Sequence, residues 1–259
     1  MAEYTESKSG QGEPSIQSVD RAIQILRCFL GDSQLTLTEI CNAVGLHKST
    51  GFNIISTLKN NGLLDKDEES GKYRLGTELY RLAASANQNI RSISVPHIRQ
   101  ICAETGETVE LVIPGDTHIT YIEMQESSQW LKIGSAVGKR IPMYCAAAGK
   151  AILANMPSEQ ASSILDRSKL EPLTPTTRIS KDALMEEFKE IRQLGYAVNM
   201  GELDNGLIAV AAVIVNRRGD PVGSISCSIP TVRCNDKRIE QIGQLLKKHT
   251  DDISVCMLQ

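Results

Sequence analysis

The sequence lacks the features that mark several protein classes. It has no cysteine pair at CxxC spacing, no excess of basic residues, and no apolar run near the roughly 18 residues that a membrane-spanning helix needs. Its seven cysteines are scattered, at positions 28, 41, 102, 145, 227, 234 and 256. None of the four histidines lies at metal-ligand spacing from a cysteine. We therefore expect a reduced interior, no disulfide framework and no metal site.

What is present is the composition of a globular chain. Hydrophobic residues make up 41% and charged residues 23% of 259 residues, which suits one large domain or two ordinary ones. The formal net charge is −3, so any contact with nucleic acid must come from a local patch. Residues 1–14 are polar and rich in Gly and Ser, and they predict a disordered leader without the apolar segment of a secretion signal. These features predict a cytoplasmic protein.

Residues 15–76 have the pattern of three short helices followed by a hairpin. Apolar residues repeat at helical spacing after a candidate N-cap serine. Thr36 and Glu39 have the spacing of a capping box, and Gly45 is placed to end that second helix. This order of elements is typical of a winged helix-turn-helix. The expected elements are helices from Ser18, from Thr36 and over 48–60, then strands over 63–66 and 72–75.

The exposed face of the third helix is the candidate DNA-binding surface. No acidic residue lies between Glu39 and Asp65, and the amides and short hydroxyls at a helix start suit phosphate oxygens. Asn53 can bind adenine through two hydrogen bonds. A solvated polar face is the alternative explanation, while the acidic turn 67–70 should avoid phosphate. The candidate residues are Thr38, His47, Lys48, Ser49, Thr50, Asn53, Lys59, Lys72 and Arg74.

The second half predicts an α+β domain over 92–259, joined to the first by a linker helix over 77–91. We expect a separate helix to open around Pro96, then an antiparallel sheet with segregated helices. The expected strands lie over 109–113, 118–124, 131–133, 207–215 and 222–229. The expected helices lie towards Ala154, from Ser158, over 181–194 and from Asp236.

Several motifs in both halves resemble those of IclR-type transcriptional regulators. In the first half they are SVDRAIQIL at 18–26, LTEI at 37–40, GLHKST at 45–50, GLL at 62–64 and YRLG at 73–76. In the second half they are ETGETV at 104–109, GKRIPM at 138–143, AGKA at 148–151, LGY at 194–196, and Glu202 with Gly206. The resemblance runs from about residue 15 to the end of the chain. Asn53 stands where many members carry arginine, so we expect a different operator sequence.

The resemblance implies a ligand-responsive regulator, with repression as the expected mode. It implies a winged helix-turn-helix that binds double-stranded operator DNA, and a GAF-like domain that binds a small carboxylate metabolite. It also implies a homodimer or homotetramer, with no cofactor, no membrane association and no catalysis.

Effector contacts are placed partly by the resemblance and partly by the residues themselves. By position, they fall on the backbone of Ala147 and Ala148 and on Asn199, Ala209, Ser226 and Ser228. Ser226 and Ser228 alternate with apolar residues, so both hydroxyls project from one sheet face, where exposure to solvent is the alternative to ligand binding. Trp130 and Ile133 are candidates for an apolar wall, although core packing explains them equally well.

Two other classes of function stay open at this level. Cys145 or Cys227 could act as a thiol nucleophile or redox centre on the GAF-like domain, but His118 is not paired with either one in sequence. Buried free cysteine more often behaves as a small hydrophobic residue. The first domain could instead bind a protein partner.

Overall fold

The computed structural model describes residues 16–134 and 136–257, with residues 84–89 described by their backbone alone. The disordered leader expected at 1–14 lies outside the described residues. The chain divides into two compact units, Met1–Ala86 and Asn87–Gln259. Each unit has its own hydrophobic core.

The first unit consists of three helices and a two-stranded antiparallel hairpin. One isoleucine from each helix (Ile25, Ile40 and Ile55) is fully buried and packs with Leu64 and Tyr73 of the hairpin. This confirms the expected winged helix-turn-helix. Its elements are α1 Gln17–Cys28, α2 Leu37–Val44, α3 Lys48–Asn60, β1 Leu64–Lys66 and β2 Tyr73–Leu75.

Local sequence signals set both ends of α2. Thr36 and Glu39 form a complete capping box at the start of α2. Gly45 ends α2 with a φ of 67°, which glycine adopts without a steric penalty. The expected N-cap at Ser18 is wrong. The amides of Val19 and Asp20 donate to the carbonyl of Ile16, so Ser18 already lies in the first turn.

Helix α4 runs without a break from Glu78 to Thr105, so the expectation of a separate helix opening around Pro96 is wrong. An internal proline removes one amide donor and normally disfavours a helix. Here Ile90 and Ile98, on either side of Pro96, are buried in the same core, and this packing maintains the helix. The expected linker over 77–91 is the first part of this longer helix.

The second unit is an α+β structure around a six-stranded antiparallel sheet, as the sequence predicts. Its strands are β3 Thr108–Pro114, β4 His118–Gln125, β5 Arg140–Pro142, β6 Ala197–Met200, β7 Leu207–Val215 and β8 Pro221–Pro230. Its further helices are α5 Ala147–Ala154, α6 Ser158–Arg167, α7 Lys181–Leu194 and α8 Asp236–Cys256. The strand order is β5-β4-β3-β8-β7-β6.

The two edge strands differ from the expectation. Residues 131–133 do not form a strand: Leu131 is half exposed, and its carbonyl accepts a hydrogen bond from the side chain of Arg233. The edge position beside β4 is taken by β5 instead. β6, which pairs with β7 at the opposite edge, was also not expected. Strands of three or four residues are too short to give a clear alternating pattern.

The sheet separates two cores because successive side chains point to opposite faces. On one face, apolar residues such as Leu111 and Ile225 pack with residues of α4 and α8. On the other face, Ala209 and Ala211 pack with residues of α5 and α7. We call this second side the α5 face, and it carries most of the candidate effector residues.

Candidate functional site

Helix α3 presents most of the candidate DNA-binding residues to solvent. His47, Lys48, Ser49 and Asn53 are exposed, and Thr50 is half-buried. Gly51, Ile55 and Leu58 face inward and fix the orientation of the helix. A Cβ at Gly51 would lie 2.3 Å from the Cys41 sulfur, so only glycine permits this approach of α3 to α2. The polar face is therefore held outward by close packing on the opposite side.

The start of α3 has the properties of a phosphate-binding helix terminus. Its N-cap, His47, makes no side-chain capping hydrogen bond, and its first turn contains no acidic residue. The first amides of a helix have no intrahelical acceptor, and the helix dipole favours an anion beside them. Lys48 adds a positive charge at the same end.

The hairpin is a weaker candidate than α3. Arg74 is exposed and Lys72 half-buried, so both can reach a phosphate. Lys59 of α3, however, lies 3.7 Å from the carboxylate of Glu68 in the turn. This exposed pair reduces the positive charge at the turn, as the acidic composition of residues 67–70 predicts. Thr38, the remaining candidate, is exposed at the start of α2.

Phe52 was missed by the sequence interpretation. Its side chain is half exposed, on the outward side of α3 next to Asn53. Phenylalanine on a helix is normally assigned to a core, but the adjacent Gly51 occupies the inward position here. An exposed aromatic ring beside Asn53 can contact a thymine methyl group.

In the second unit, the polar candidates lie in two rows across the α5 face. The first row crosses four adjacent strands and consists of Asn199 on β6, Ala209 on β7, Ser228 on β8 and Thr108 on β3. All four are buried, so the solvent-facing alternative for Ser228 is wrong. Ser226 is also buried and belongs to the next row, two residues from Ser228 on β8. The two serine hydroxyls therefore share a face of the sheet, as expected.

The next row also contains Glu110, a carboxylate that the sequence interpretation missed. Glu110 pairs with Ser226 across β3 and β8, and the Ser226 hydroxyl donates to its Oε2 at 2.8 Å. Ser228 lies on the same strand face and acts on the pKa of this carboxylate in the same direction as Ser226. Burial raises the pKa of Glu110 to about 7, against the lowering effect of both serines and of Lys139. The alternating pattern of β3 places this residue on the α5 face, but a single Glu in a strand is not a site signal by itself.

The start of α5 is the candidate carboxylate-binding terminus. Its N-cap is Ala146, which has no side-chain oxygen to accept from the first amides. Ala147 and Ala148 are buried and small, so backbone can be approached closely there. A Cβ at Gly149 would lie 2.3 Å from the Met143 carbonyl oxygen, so this glycine allows α5 to pack on the preceding turn.

Asn199 has a structural role in this conformation. Its Nδ2 donates to the Cys145 carbonyl, and its Oδ1 accepts from the Glu202 amide at 2.8 Å. Both polar groups of the side chain therefore have protein partners. Asn199 joins the turn before α5 to the segment that follows β6.

A buried ionic network lies next to Asn199. Lys150, which is fully buried on α5, donates to Glu187 on α7 at 2.8 Å and to Glu202. Arg178 pairs with the second oxygen of Glu187 at 2.8 Å. These ion pairs join α5, α7 and the segment after β6, and so they fix the position of the α5 start.

A cavity of about 630 Å³ opens at the end of the α5 face. Its lining residues include Leu207 on β7 and Pro230 on β8, which are paired with each other. Each lies two residues further along its strand than Ala209 or Ser228, and therefore on the same face of the sheet. The charged lining residues are Lys132, Lys139, Arg140 and Asp204, with Lys132 paired to Glu126. The excess of positive charge favours an anionic ligand.

The expected effector residues relate to this cavity in different ways. Ile133 lines it, together with its neighbours in the 131–134 segment. Trp130 does not line it and is fully exposed, so it forms no part of the expected apolar wall. The remaining candidates are buried and do not line this cavity; they are Ala147, Ala148, Asn199, Ala209, Ser226 and Ser228.

The two thiols that suggested an enzyme are buried and protonated. Burial raises the pKa of Cys145 to about 12 and raises the pKa of Cys227 as well. A thiol nucleophile needs the thiolate, which an electropositive and partly exposed environment favours. His118 hydrogen-bonds to Thr117. The environment of both thiols is therefore unsuited to nucleophilic chemistry.

Within residues 16–134 and 136–257, no group of three or more His, Cys, Asp or Glu side chains is placed to hold a metal ion. Across the same residues, no helix has both the length and the apolar character needed to cross a membrane.

The chain resembles known proteins in domain family, in sequence and in structure. Residues 82–255 match the family model described as bacterial transcriptional regulator IclR C-terminal, and residues 18–68 match the IclR helix-turn-helix domain. The HTH-type transcriptional regulator XynR of Escherichia coli (strain K12) is 31% identical over 238 residues, 91% of this chain and 94% of XynR. The transcriptional repressor IclR of the same strain is 27% identical over 245 residues, 93% of this chain and 89% of that repressor.

Solved structures have the same fold. An IclR transcriptional regulator from Alicyclobacillus acidocaldarius aligns with a TM-score of 0.80 and 28% identity, over 94% of this chain and 100% of that one. An IclR homologue from Microbacterium hydrocarbonoxydans, in complex with 4-hydroxybenzoate, aligns with a TM-score of 0.81 and 20% identity, over 93% and 98% of the two chains.

Proposed function

Because the chain belongs to the IclR family of bacterial transcriptional regulators, we propose that it represses transcription by binding operator DNA through α3 and releases the DNA when a small anionic metabolite binds the second unit. The observation that carries the proposal is the outward polar face of α3, which has an uncapped, acid-free start. Repression is supported by the names of relatives such as the repressor IclR and the acetate operon repressor of Salmonella typhimurium. The proposed DNA target implies action in the cytoplasm.

An anionic effector is supported by the basic lining of the cavity and by the uncapped start of α5. A cavity of about 630 Å³ is within the usual range for small-molecule sites. A gel shift on the DNA upstream of this protein's own gene, with a panel of small carboxylates, tests operator binding and effector release together. 4-Hydroxybenzoate is a suitable first member, because a structural neighbour was solved in complex with it.

We expect Lys48→Ala combined with Asn53→Ala to lower operator affinity by at least about tenfold, since one base contact through two hydrogen bonds contributes roughly 1–3 kcal/mol. Loss of the lysine should also reduce the slope of log affinity against log salt by about one, because one fewer counterion is released. Fluorescence anisotropy on a labelled duplex between low and physiological salt measures both quantities.

The matched control changes the same residue types elsewhere, with Asn42→Ala on α2 and Lys169→Ala in the second unit, both exposed. This control should bind the operator as the unchanged protein does. If the α3 variant binds equally tightly and with the same salt slope, α3 is not the DNA-binding surface.

We propose that two copies of the chain pair through the first unit, with α1 as part of the interface. Ile16, Val19 and Ile23 are exposed and spaced at i, i+3 and i+7, so they form one apolar stripe along α1. Tyr80 at the start of α4 is also largely exposed. A second copy of the chain would cover such a stripe, and a dimer suits an operator with two half-sites. Light scattering distinguishes this dimer from a tetramer formed by two such dimers.

Val19→Glu combined with Ile23→Glu should convert the dimer to a monomer at micromolar concentration and weaken operator binding. The reason is that two carboxylates would have to be buried without partners in the interface. Multi-angle light scattering measures the mass. Gln17→Glu, on the same helix but off the stripe, is the control and should remain a dimer. A monomeric unchanged protein would contradict the proposal.

The proposal includes no catalytic step. The relatives named above are regulators, and the two thiols of the enzyme alternative are protonated and enclosed. A direct test of the alternative is turnover of candidate acids by the purified protein, with loss of turnover in Cys145→Ser.

A further inference from the structure

We propose that Phe52 determines one base of the operator sequence, because its ring contacts the methyl group of a thymine in each half-site. This inference rests on the proposed operator binding through α3 and specifies part of the DNA sequence that the helix recognises. Three observations carry it: the ring is exposed, polar and basic residues surround it on the helix surface, and it lies near the start of α3.

Close packing on the opposite side of α3 keeps the Phe52 side chain out of the core. The residue is 51% exposed, and the core that the described residues of the first unit form does not include it. A Cβ at Gly51 would lie 2.3 Å from the Cys41 sulfur, so this side of α3 is in direct contact with α2. The helix therefore cannot rotate to bury the ring without a larger separation from α2. Exposure of Phe52 is a consequence of how the two helices pack.

The ring is isolated among polar and basic side chains and is not part of an apolar patch. One helical turn away on the same side lie Lys48 and Ser49 before it and Ser56 after it. A surface that binds another protein normally presents a contiguous apolar area. A surface that binds DNA combines groups that contact phosphates with side chains that contact base edges. The surroundings of Phe52 therefore favour DNA over a protein partner.

Phe52 lies in the part of the helix that contacts bases in a helix-turn-helix. It is the fifth residue of α3, and side chains on a helix lean towards the N-terminus of that helix. The residues near the N-terminal end of a recognition helix contact base edges in the major groove, while the first amides suit a phosphate. The ring is thus placed over the bases that adjoin this phosphate.

Thymine is the base that a phenylalanine ring can select in the major groove. The ring has no group that forms conventional hydrogen bonds, and the C5-methyl group of thymine is the apolar group that the base pairs present there. The neighbouring Asn53 suits adenine, which it can bind through two hydrogen bonds. Adenine and thymine form one base pair, so the two adjacent side chains together predict A·T base pairs where α3 enters the groove.

The test removes the methyl group of one thymine at a time. In vitro selection from random duplexes with the full chain identifies the bound half-sites. Each thymine is then replaced in both half-sites by deoxyuridine, which differs from thymidine only by the missing methyl group. Fluorescence anisotropy should show one position at which the replacement lowers affinity about 15-fold, since loss of one buried methyl group costs about fourfold in each half-site.

Two variants connect that position to Phe52. In Phe52→Ala the same replacement should lower affinity less than about twofold, because the ring that contacts the methyl group is missing. Phe52→Leu keeps an apolar side chain and should retain most of the effect. Leu30→Ala is the matched control, because it truncates an exposed apolar residue of the same unit outside α3, and it should retain the full effect.

Three results would overturn the inference while the protein still binds the selected operator. They are the absence of any thymine at which deoxyuridine weakens binding, an equal loss in the unchanged protein and in Phe52→Ala, and disappearance of the loss in Leu30→Ala as well. A failure of the proposed function is distinguishable, since the selection would then enrich no sequence with the unchanged protein, and the assignment of Phe52 would fail with it.

Discussion

Replacement of Lys150 by Met is expected to destabilise the second unit by about 3–5 kcal/mol, the usual effect of breaking a buried ion pair from one side. Lys150 is fully buried between Glu187 and Glu202. Without it, Glu202 loses its ammonium partner, and Arg178 remains as the counterion of Glu187. Urea denaturation followed by circular dichroism measures the change as a lower midpoint at constant slope.

The control is Lys189→Met, which breaks the exposed pair with Glu186 on α7 and should change stability by less than about 1 kcal/mol. If Lys150→Met is too unstable to purify, the double variant Lys150→Met, Glu202→Gln should recover part of the loss because the carboxylate left without a cation is removed. A loss below about 1 kcal/mol in the single variant would contradict the assignment of a stabilising network.

Glu110→Gln is expected to make the protein more stable than the unchanged chain above pH 7, and the advantage should disappear near pH 4.5. The pKa of Glu110 is raised to about 7 in the folded chain, above its ordinary value of 4.5. The folded state therefore binds more protons between these values, and the unchanged protein loses stability as pH rises through that window. From pH 4.5 to pH 8 the difference between variant and unchanged protein should grow by about 3 kcal/mol.

Urea midpoints at pH 4.5, 6 and 8 give this difference directly. Glu159→Gln, at an exposed position on α6, serves as the control and should show no comparable growth with pH. A difference that stays constant with pH would mean that Glu110 ionises in the folded protein as easily as in the unfolded one.

The fold was largely predictable because its strongest elements carry local signals. The capping box at Thr36, the glycine after α2 and the long β-branched runs of β7 and β8 each specify an element without knowledge of the rest. The errors fall where tertiary contacts override a local signal. Pro96 predicted a helix start, yet burial of Ile90 and Ile98 in one core keeps α4 continuous.

The candidate sites were predictable only in part, for a related reason. Periodicity placed Ser226 and Ser228 on one face, because alternation along a strand depends on the backbone alone. It could not identify the partner of Ser226, because Glu110 lies 116 positions away from it in sequence and joins it only when β3 pairs with β8. Phe52 was missed because its exposure follows from the inward packing of Gly51.

The accessibility of the thiols determines where the protein can be chemically labelled. Maleimides and similar reagents attack a thiolate that solvent can reach, and burial opposes both requirements. Among the described residues, the exposed cysteine is Cys256, at the end of α8. Two cysteines are half-buried, Cys28 and Cys234, and four are buried, Cys41, Cys102, Cys145 and Cys227. A fluorophore will therefore attach first at Cys256. The unchanged sequence thus offers a native position in the second unit for an optical reporter, with no need to remove the interior thiols.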